Sequence, residues 1–184
     1  MSDDAARVFR LDNDALPFRF TATLSYRTGK PRERLTSPAR LRLWLDAAGL
    51  APRRDVTDDE FATAIGLREA IYRLGVAAAH GTGQAPGDIA LLNAAAANGT
   101  PVAALGDGGS TWILRNDHPV RDGLAVIAQD TILTLGTDRA ARIKTCDGAD
   151  CAGLFLDTSR GNNRRWCSMN TCGNRAKKSR MAIR

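Results

Sequence analysis

With 184 residues, 43% of them apolar, and a mean hydropathy of −0.26, the chain has material for one ordinary core plus a small appendage. No apolar run approaches the roughly 18 residues that span a bilayer, which excludes a membrane helix, and the acidic start Met1-Ser-Asp-Asp lacks the apolar stretch of a secretory signal, so a cytoplasmic location is expected. The net charge of +6 is unevenly placed: residues 142–184 hold ten Lys/Arg against three Asp, and residues 1–141 hold sixteen Lys/Arg against seventeen Asp/Glu, so a polyanionic partner is expected for the C-terminal segment.

In chain order, residues 7–11 and 18–25 read as strands, the second from the alternation of Phe18, Phe20, Ala22 and Leu24 with polar residues. Residues 27–36 are charged, carry Gly29 and Pro31, and read as a loop. Ser37-Pro38 opens a helix whose apolar face is Leu41, Trp44, Leu45 and Ala48, and Gly49 closes it. Thr57-Asp-Asp-Glu60 is a capping box that opens a longer helix reaching about Ala79. Gly66 and Gly75 weaken that helix intrinsically, so close packing is expected to explain them. Pro86 opens a third helix, closed by Asn98-Gly99. Residues 101–105 and 111–114 read as strands of a hairpin that turns at Gly106-Asp-Gly-Gly109, and Asp117-His118-Pro119 starts a fourth helix ending at Gly136. Arg139 to Thr145 is expected to be a strand leading into the C-terminal segment.

That segment holds all four cysteines, Cys146, Cys151, Cys167 and Cys172, in two pairs with four residues inside each pair. One reading is a tetrahedral Zn²⁺ held by four thiolates; the other is two disulfides. Four cysteines in one short window of a chain without a secretory signal favour one structural zinc, and a closed shell of four sulfurs leaves no position for a catalytic water. Cys146 to Cys151 reads as a knuckle in which Gly148 permits the turn. Leu154-Phe-Leu156 and Arg164-Arg-Trp166 are expected to pair as a hairpin around Gly161-Asn-Asn163, with Cys172 near the first turn of a final helix.

The final helix carries Arg175, Lys177, Lys178, Arg180 and Arg184, and Arg164 and Arg165 add charge from the hairpin. A basic stripe on a helix is the usual footprint of phosphate contact, and these seven residues are the nucleic-acid-binding candidates. Nothing in them specifies a base sequence.

Three runs, Leu154-Phe-Leu-Asp157, Arg165-Trp-Cys-Ser-Met and Cys172-Gly-Asn-Arg175 followed by Lys177, closely resemble the CGNR zinc-finger proteins that carry an N-terminal ABATE domain. In residues 1–141, Leu41, Trp44-Leu45, Ala48-Gly49-Leu50, Leu67-Arg-Glu-Ala70 and Leu91-Leu-Asn93 follow the same family's order. The resemblance implies an α+β fold: a mixed helix/strand domain over 1–141, then a treble-clef-like zinc finger with four cysteine ligands over 142–184 and a C-terminal basic helix. It also implies a stress-linked transcription regulator. The chain departs from the family in having Ala22-Thr23 where Asn-Thr is usual, which alters any ligand pocket lined by that Asn.

The expectation is a DNA-binding regulator, not an enzyme, whose first domain senses a small-molecule effector or forms a homodimer. Arg27, Arg68 and Trp112 are the candidates for gripping such an effector. The competing reading is a protein-interaction module that uses the finger as a rigid platform and exposes an apolar patch within residues 1–141. An enzyme is disfavoured because residues 1–141 hold two isolated histidines, no cysteine and no clustered carboxylate motif.

Overall fold

A computed structural model describes residues 8–115 and 117–182, without the side chains of Arg180 and Ala182. The fold is α+β, with helices interleaved with small antiparallel ribbons. Its elements are α1 (Leu16–Thr21), β1 (Leu24–Ser25), β2 (Arg32–Glu33), α2 (Pro38–Ala47), α3 (Asp58–His80), α4 (Pro86–Ala97), β3 (Val102–Gly106), β4 (Gly109–Ile113), α5 (Pro119–Leu135), β5 (Ile143–Thr145), β6 (Leu154–Leu156) and α6 (Asn174–Ala182). Strands pair only with their neighbours in sequence, as β1–β2, β3–β4 and β5–β6.

Local chemistry sets the helix starts. Ser37 Oγ accepts from the Arg40 N–H at 3.3 Å, and Pro38 follows it. Thr57 and Glu60 close the capping box in both directions, through Thr57 Oγ1 to the Glu60 N–H and Glu60 Oε2 to the Thr57 N–H. Each such cap stabilises its helix by about 1 kcal/mol. The 23-residue α3 runs through the middle and touches α1, α2, α4, α5, β5 and β6. Around it pack the buried Leu41, Trp44, Leu45, Leu67, Ile71, Val120 and Ile127, with the Trp44 ring 4.9 Å from that of Phe20.

In the N-terminal domain two strand expectations fail. Residues 8–11 form no strand, and residue 7 lies outside the described residues. Residues 16–21 form α1, so only Leu24–Ser25 of the expected second strand is extended. The alternation arises because α1 is buried from two sides: Phe20 faces the main core beside Trp44, while Phe18 faces a second core with Ile143, Leu154 and Leu156. Apolar residues two apart are then needed on a helix. Within the expected loop, Arg32–Glu33 pairs as β2 with β1.

The β5–β6 ribbon lies against α3. A Cβ on Gly75 would sit 2.5 Å from Leu154 Cδ1 and 3.3 Å from Phe18 Cε1, so close packing explains this glycine, whereas a Cβ on Gly66 meets nothing within 4 Å. The β3–β4 ribbon behaves differently. The buried Asp122 carboxylate holds its base through the Thr100 and Arg115 N–H groups, yet Val102, Leu105, Trp112 and Ile113 along it are all exposed.

Candidate metal centre and basic surface

Residues 138–142 form a 3₁₀ turn where a strand was expected, and only Ile143–Thr145 is extended. Its partner is Leu154–Leu156, and Arg164–Trp166 joins no sheet. The knuckle is the cause. By turning the chain back between Cys146 and Cys151, with the Cys146 N–H on the Gly153 carbonyl at 2.8 Å, it lays residues 143–145 against 154–156. Gly148 is needed for space, not for dihedral freedom: a Cβ there would lie 3.2 Å from both Cβ and Sγ of Cys172. The left-handed positions in and just after the knuckle are Asp150 (φ 62°) and Ala152 (φ 45°). After Cys167, Ser168 Oγ accepts from the Thr171 N–H and starts a wide turn, Met169–Gly173, that carries Cys172 into α6.

All four cysteines are buried and their sulfurs lie within 4.8 Å of one another. Cys151, Cys167 and Cys172 are mutually 3.6–3.7 Å apart. A disulfide needs about 2.05 Å. Four sulfurs at about 2.3 Å from a tetrahedral zinc are about 3.8 Å from one another, so the donor set and its spacing fit one structural zinc with a closed shell. The backbone N–H groups of Gly148 and Cys167 point at Cys146 Sγ at 3.4 and 3.3 Å, and Arg10 Nη2 lies 3.8 Å from Cys172 Sγ. These donors offset the negative charge of the thiolates. Burial lowers the Arg10 pKa, but the neighbouring cysteines more than reverse this and hold it above its ordinary value.

A second anchor stands behind the metal site. Asp157 is fully buried and accepts from Lys144 Nζ at 2.7 Å, from the N–H and hydroxyl of Ser159, and from the Arg164 N–H at 2.8 Å. Burial pushes its carboxyl up, but these hydrogen bonds outweigh it and hold the group well below the usual carboxylate range.

The basic candidates separate into three groups. Arg164 is a correction to the phosphate-contact set. Its Nε and Nη2 donate to the carbonyls of Trp166 and Cys167 at 2.8 and 2.7 Å, and its Nη1 meets Asp14 at 3.2 Å. It clamps the second cysteine pair. Arg165 pairs with Asp147 at 2.7 Å, but both side chains are about half exposed, so the pair competes weakly with an external anion. Arg175, Lys177 and Lys178 are exposed on α6, and Arg175 donates to the Tyr26 hydroxyl at 2.7 Å. The side chain of Arg180, and Arg184 as a whole, lie outside the described residues. The exposed Arg160 has no side-chain partner among the described residues and adds a cation beside the turn at Asn162.

Of the effector candidates, Arg27 and Arg68 meet on Glu69 and Trp112 stands apart from them. Arg68 is buried and forms a bidentate pair with Glu33 at 2.7 Å while its Nε meets Glu69 at 2.8 Å. Arg27 also bonds Glu69, at 2.7 Å, and stacks on Tyr72 at 3.7 Å. Trp112 is on the distant β3–β4 ribbon. Ala22, the family departure, borders a cavity of about 20 Å³ shared with Arg10, Ser25 and Leu154, room for about one water.

The ABATE family model, described as "Putative stress-induced transcription regulator", matches residues 14–138, and the model described as "CGNR zinc finger" matches residues 142–184. A comparison with curated proteins found no matching relative. No helix among the described residues is long and apolar enough to cross a membrane.

Proposed function

The chain belongs to the ABATE family and ends in a CGNR zinc finger, and from that premise we propose that it is a DNA-binding transcription regulator, not an enzyme. In this reading the zinc holds α6 in place, and Arg175, Lys177, Lys178, Arg165 and Arg160 contact phosphate. Arg180 and Arg184 continue the same stretch of sequence. One observation carries the reading. Of the finger's three carboxylates, Asp157 is buried, Asp147 pairs with Arg165 and the exposed Asp150 packs against Gly29, and the exposed cations of α6 have no carboxylate partner among the described residues. Such uncompensated charge on a rigid helix suits a polyanion. A cytoplasmic location follows from a DNA partner.

The exposed apolar ribbon β3–β4 favours a protein contact for the N-terminal domain in addition, either a second copy or another regulator. It meets the patch expected of an interaction module without competing for α6. A small-molecule effector stays part of the proposal for that domain.

Genomic footprinting of the tagged protein beside a Cys167→Ser, Cys172→Ser form tests the reading. Discrete footprints that vanish in the double variant are expected. Identical footprints for both forms, or none for either, would overturn it.

A further inference from the structure

The N-terminal domain contributes cations of its own beside the finger. Tyr26 follows β1 and has a φ of +58°. This left-handed backbone is rare for a bulky residue, and it opens a turn closed by the Gly29 N–H on the Tyr26 carbonyl at 3.1 Å. The Tyr26 ring stands between the two parts of the chain. The Arg175 guanidinium lies 4.9 Å from the ring centroid and donates to the hydroxyl, and that of Arg10 lies 5.7 Å from the same centroid. Next to Tyr26, Ser25 pairs in register with Arg32, and Ser25 Oγ accepts from Arg34 Nη1 at 2.7 Å. Arg34 also reaches the Arg32 carbonyl at 3.4 Å.

The guanidiniums of Arg10 and Arg175 thus meet at one ring, and Arg34 and Arg32 lie on the short ribbon beside it. None of them is ion-paired with a carboxylate among the described residues. The one carboxylate within the ribbon, Glu33, is partly exposed but holds both oxygens on Arg68. Asp12, exposed, borders the small cleft beside Arg10 and makes no ion pair among the described residues, and the exposed Asp150 packs against Gly29 in the turn between β1 and β2. The mutual repulsion is felt: burial, and then Arg32 and Arg10, hold Arg34 below its ordinary pKa. Arg10 faces the thiolates and Arg34 is buried, so these two supply field from behind. Arg32 and Arg175 are exposed, and Arg175 is held at the surface by Tyr26.

We propose that Arg32 of the N-terminal domain and Arg175 of the finger, the latter held by Tyr26, form with Arg10 and Arg34 behind them a composite seat for a backbone phosphate of the bound nucleic acid. The inference rests on the reading of the chain as a DNA-binding protein and deepens it. The N-terminal domain is then part of the interface, and a movement of β1–β2 would change affinity directly.

The test is a salt series of duplex binding by the zinc-loaded full chain and three variants: Arg32→Gln, Tyr26→Phe and, as a reference on α6 away from the seat, Lys178→Gln. Arg32 makes no side-chain hydrogen bond among the described residues, so Arg32→Gln should fold and retain its metal, which zinc content checks. Loss of one phosphate contact lowers the slope of log affinity against log salt by about 0.9 and weakens binding about five-fold near 0.15 M salt. Arg32→Gln is expected to do this on any duplex, and Tyr26→Phe to weaken binding less. A slope for Arg32→Gln equal to wild type, with Lys178→Gln reduced, would overturn the composite seat and leave the finger reading intact. No duplex binding by the wild type at any salt would overturn both. Titration with inorganic phosphate separates sources: shifts of the Arg32 and Arg175 side-chain NMR signals only at concentrations far above the duplex requirement are expected. Saturation by free phosphate at micromolar concentration, with duplex unable to compete, would assign the seat to a small anion and overturn the proposal.

Discussion

Gly66→Ala and Gly75→Ala make the same chemical change in the same helix and should have opposite effects. Alanine is favoured over glycine inside a helix by about 1 kcal/mol, and at Gly66 nothing within 4 Å opposes the added methyl. At Gly75 the methyl would lie 2.5 Å from Leu154 Cδ1, about 1 Å inside ordinary contact, with Phe18 Cε1 at 3.3 Å behind it. Both neighbours are buried, and Leu154 is tied by its carbonyl to Asn13 Nδ2 at 2.8 Å, so neither can swing into open space. Overpacking of this kind costs about 1–3 kcal/mol. Propensity cancels between the two variants, so their difference is the packing cost alone. For a chain of this size that separates their melting temperatures by about 2–12 °C. Thermal unfolding followed by circular dichroism at fixed free zinc measures it, since metal concentration shifts the curve by mass action. Equal stabilisation of both variants would refute the placement of the finger ribbon against α3.

Four further outcomes follow. Cys151→Ser removes a ligand from a closed shell and should abolish stoichiometric zinc binding, read by metal analysis, while the α3 core keeps its helical signal. Asp157→Asn should destabilise the finger by about 2–4 kcal/mol, because Lys144 loses its buried counter-charge, and should raise the free-zinc concentration needed for folding. Glu69 is pushed up by burial but held lower still by hydrogen bonds and charge from Arg27 and Arg68, so its folded-state pKa lies below the unfolded value. The folded state then binds fewer protons, and the stability it gives is full above about pH 5 and is lost as pH falls through the folded value. The stability difference between wild type and Glu69→Gln, in which metal loss cancels, should therefore shrink from about 1–3 kcal/mol at pH 7 toward zero in acid; a difference constant with pH would contradict this assignment. Leu105→Lys on the exposed ribbon should leave folding unchanged within about 0.5 kcal/mol, and a collapse of the fold would show that the ribbon packs inward.

What could be read from the sequence was chemistry that acts within a few residues. Ser37 and the Thr57 to Glu60 box fix helix starts through bonds to their own first turn, Pro38, Pro86 and Pro119 do so through a preset φ, and all four helices begin there. The cysteine set was legible because the metal constrains ligand type and spacing. The failures lie where distant segments decide. Phe18 and Phe20 alternate because two cores meet across α1, and only the position of β6 shows that. Residues 154–156 pair with 143–145 because the knuckle folds the chain back, although a turn at 161–163 was the stronger local signal. Arg164 and Arg175 look alike in sequence. The carbonyls of Trp166 and Cys167 take up one, and Tyr26, 149 residues away, positions the other.

The account depends on a finger that zinc folds and that carries cations to DNA. Its most direct test is the affinity of the purified chain for duplex DNA across a salt series, measured loaded, after chelation and after zinc is restored. The expected result is binding that weakens steeply with salt, disappears with the metal and returns with it. Duplex affinity that is absent throughout, or unchanged when the metal is stripped, would contradict the account.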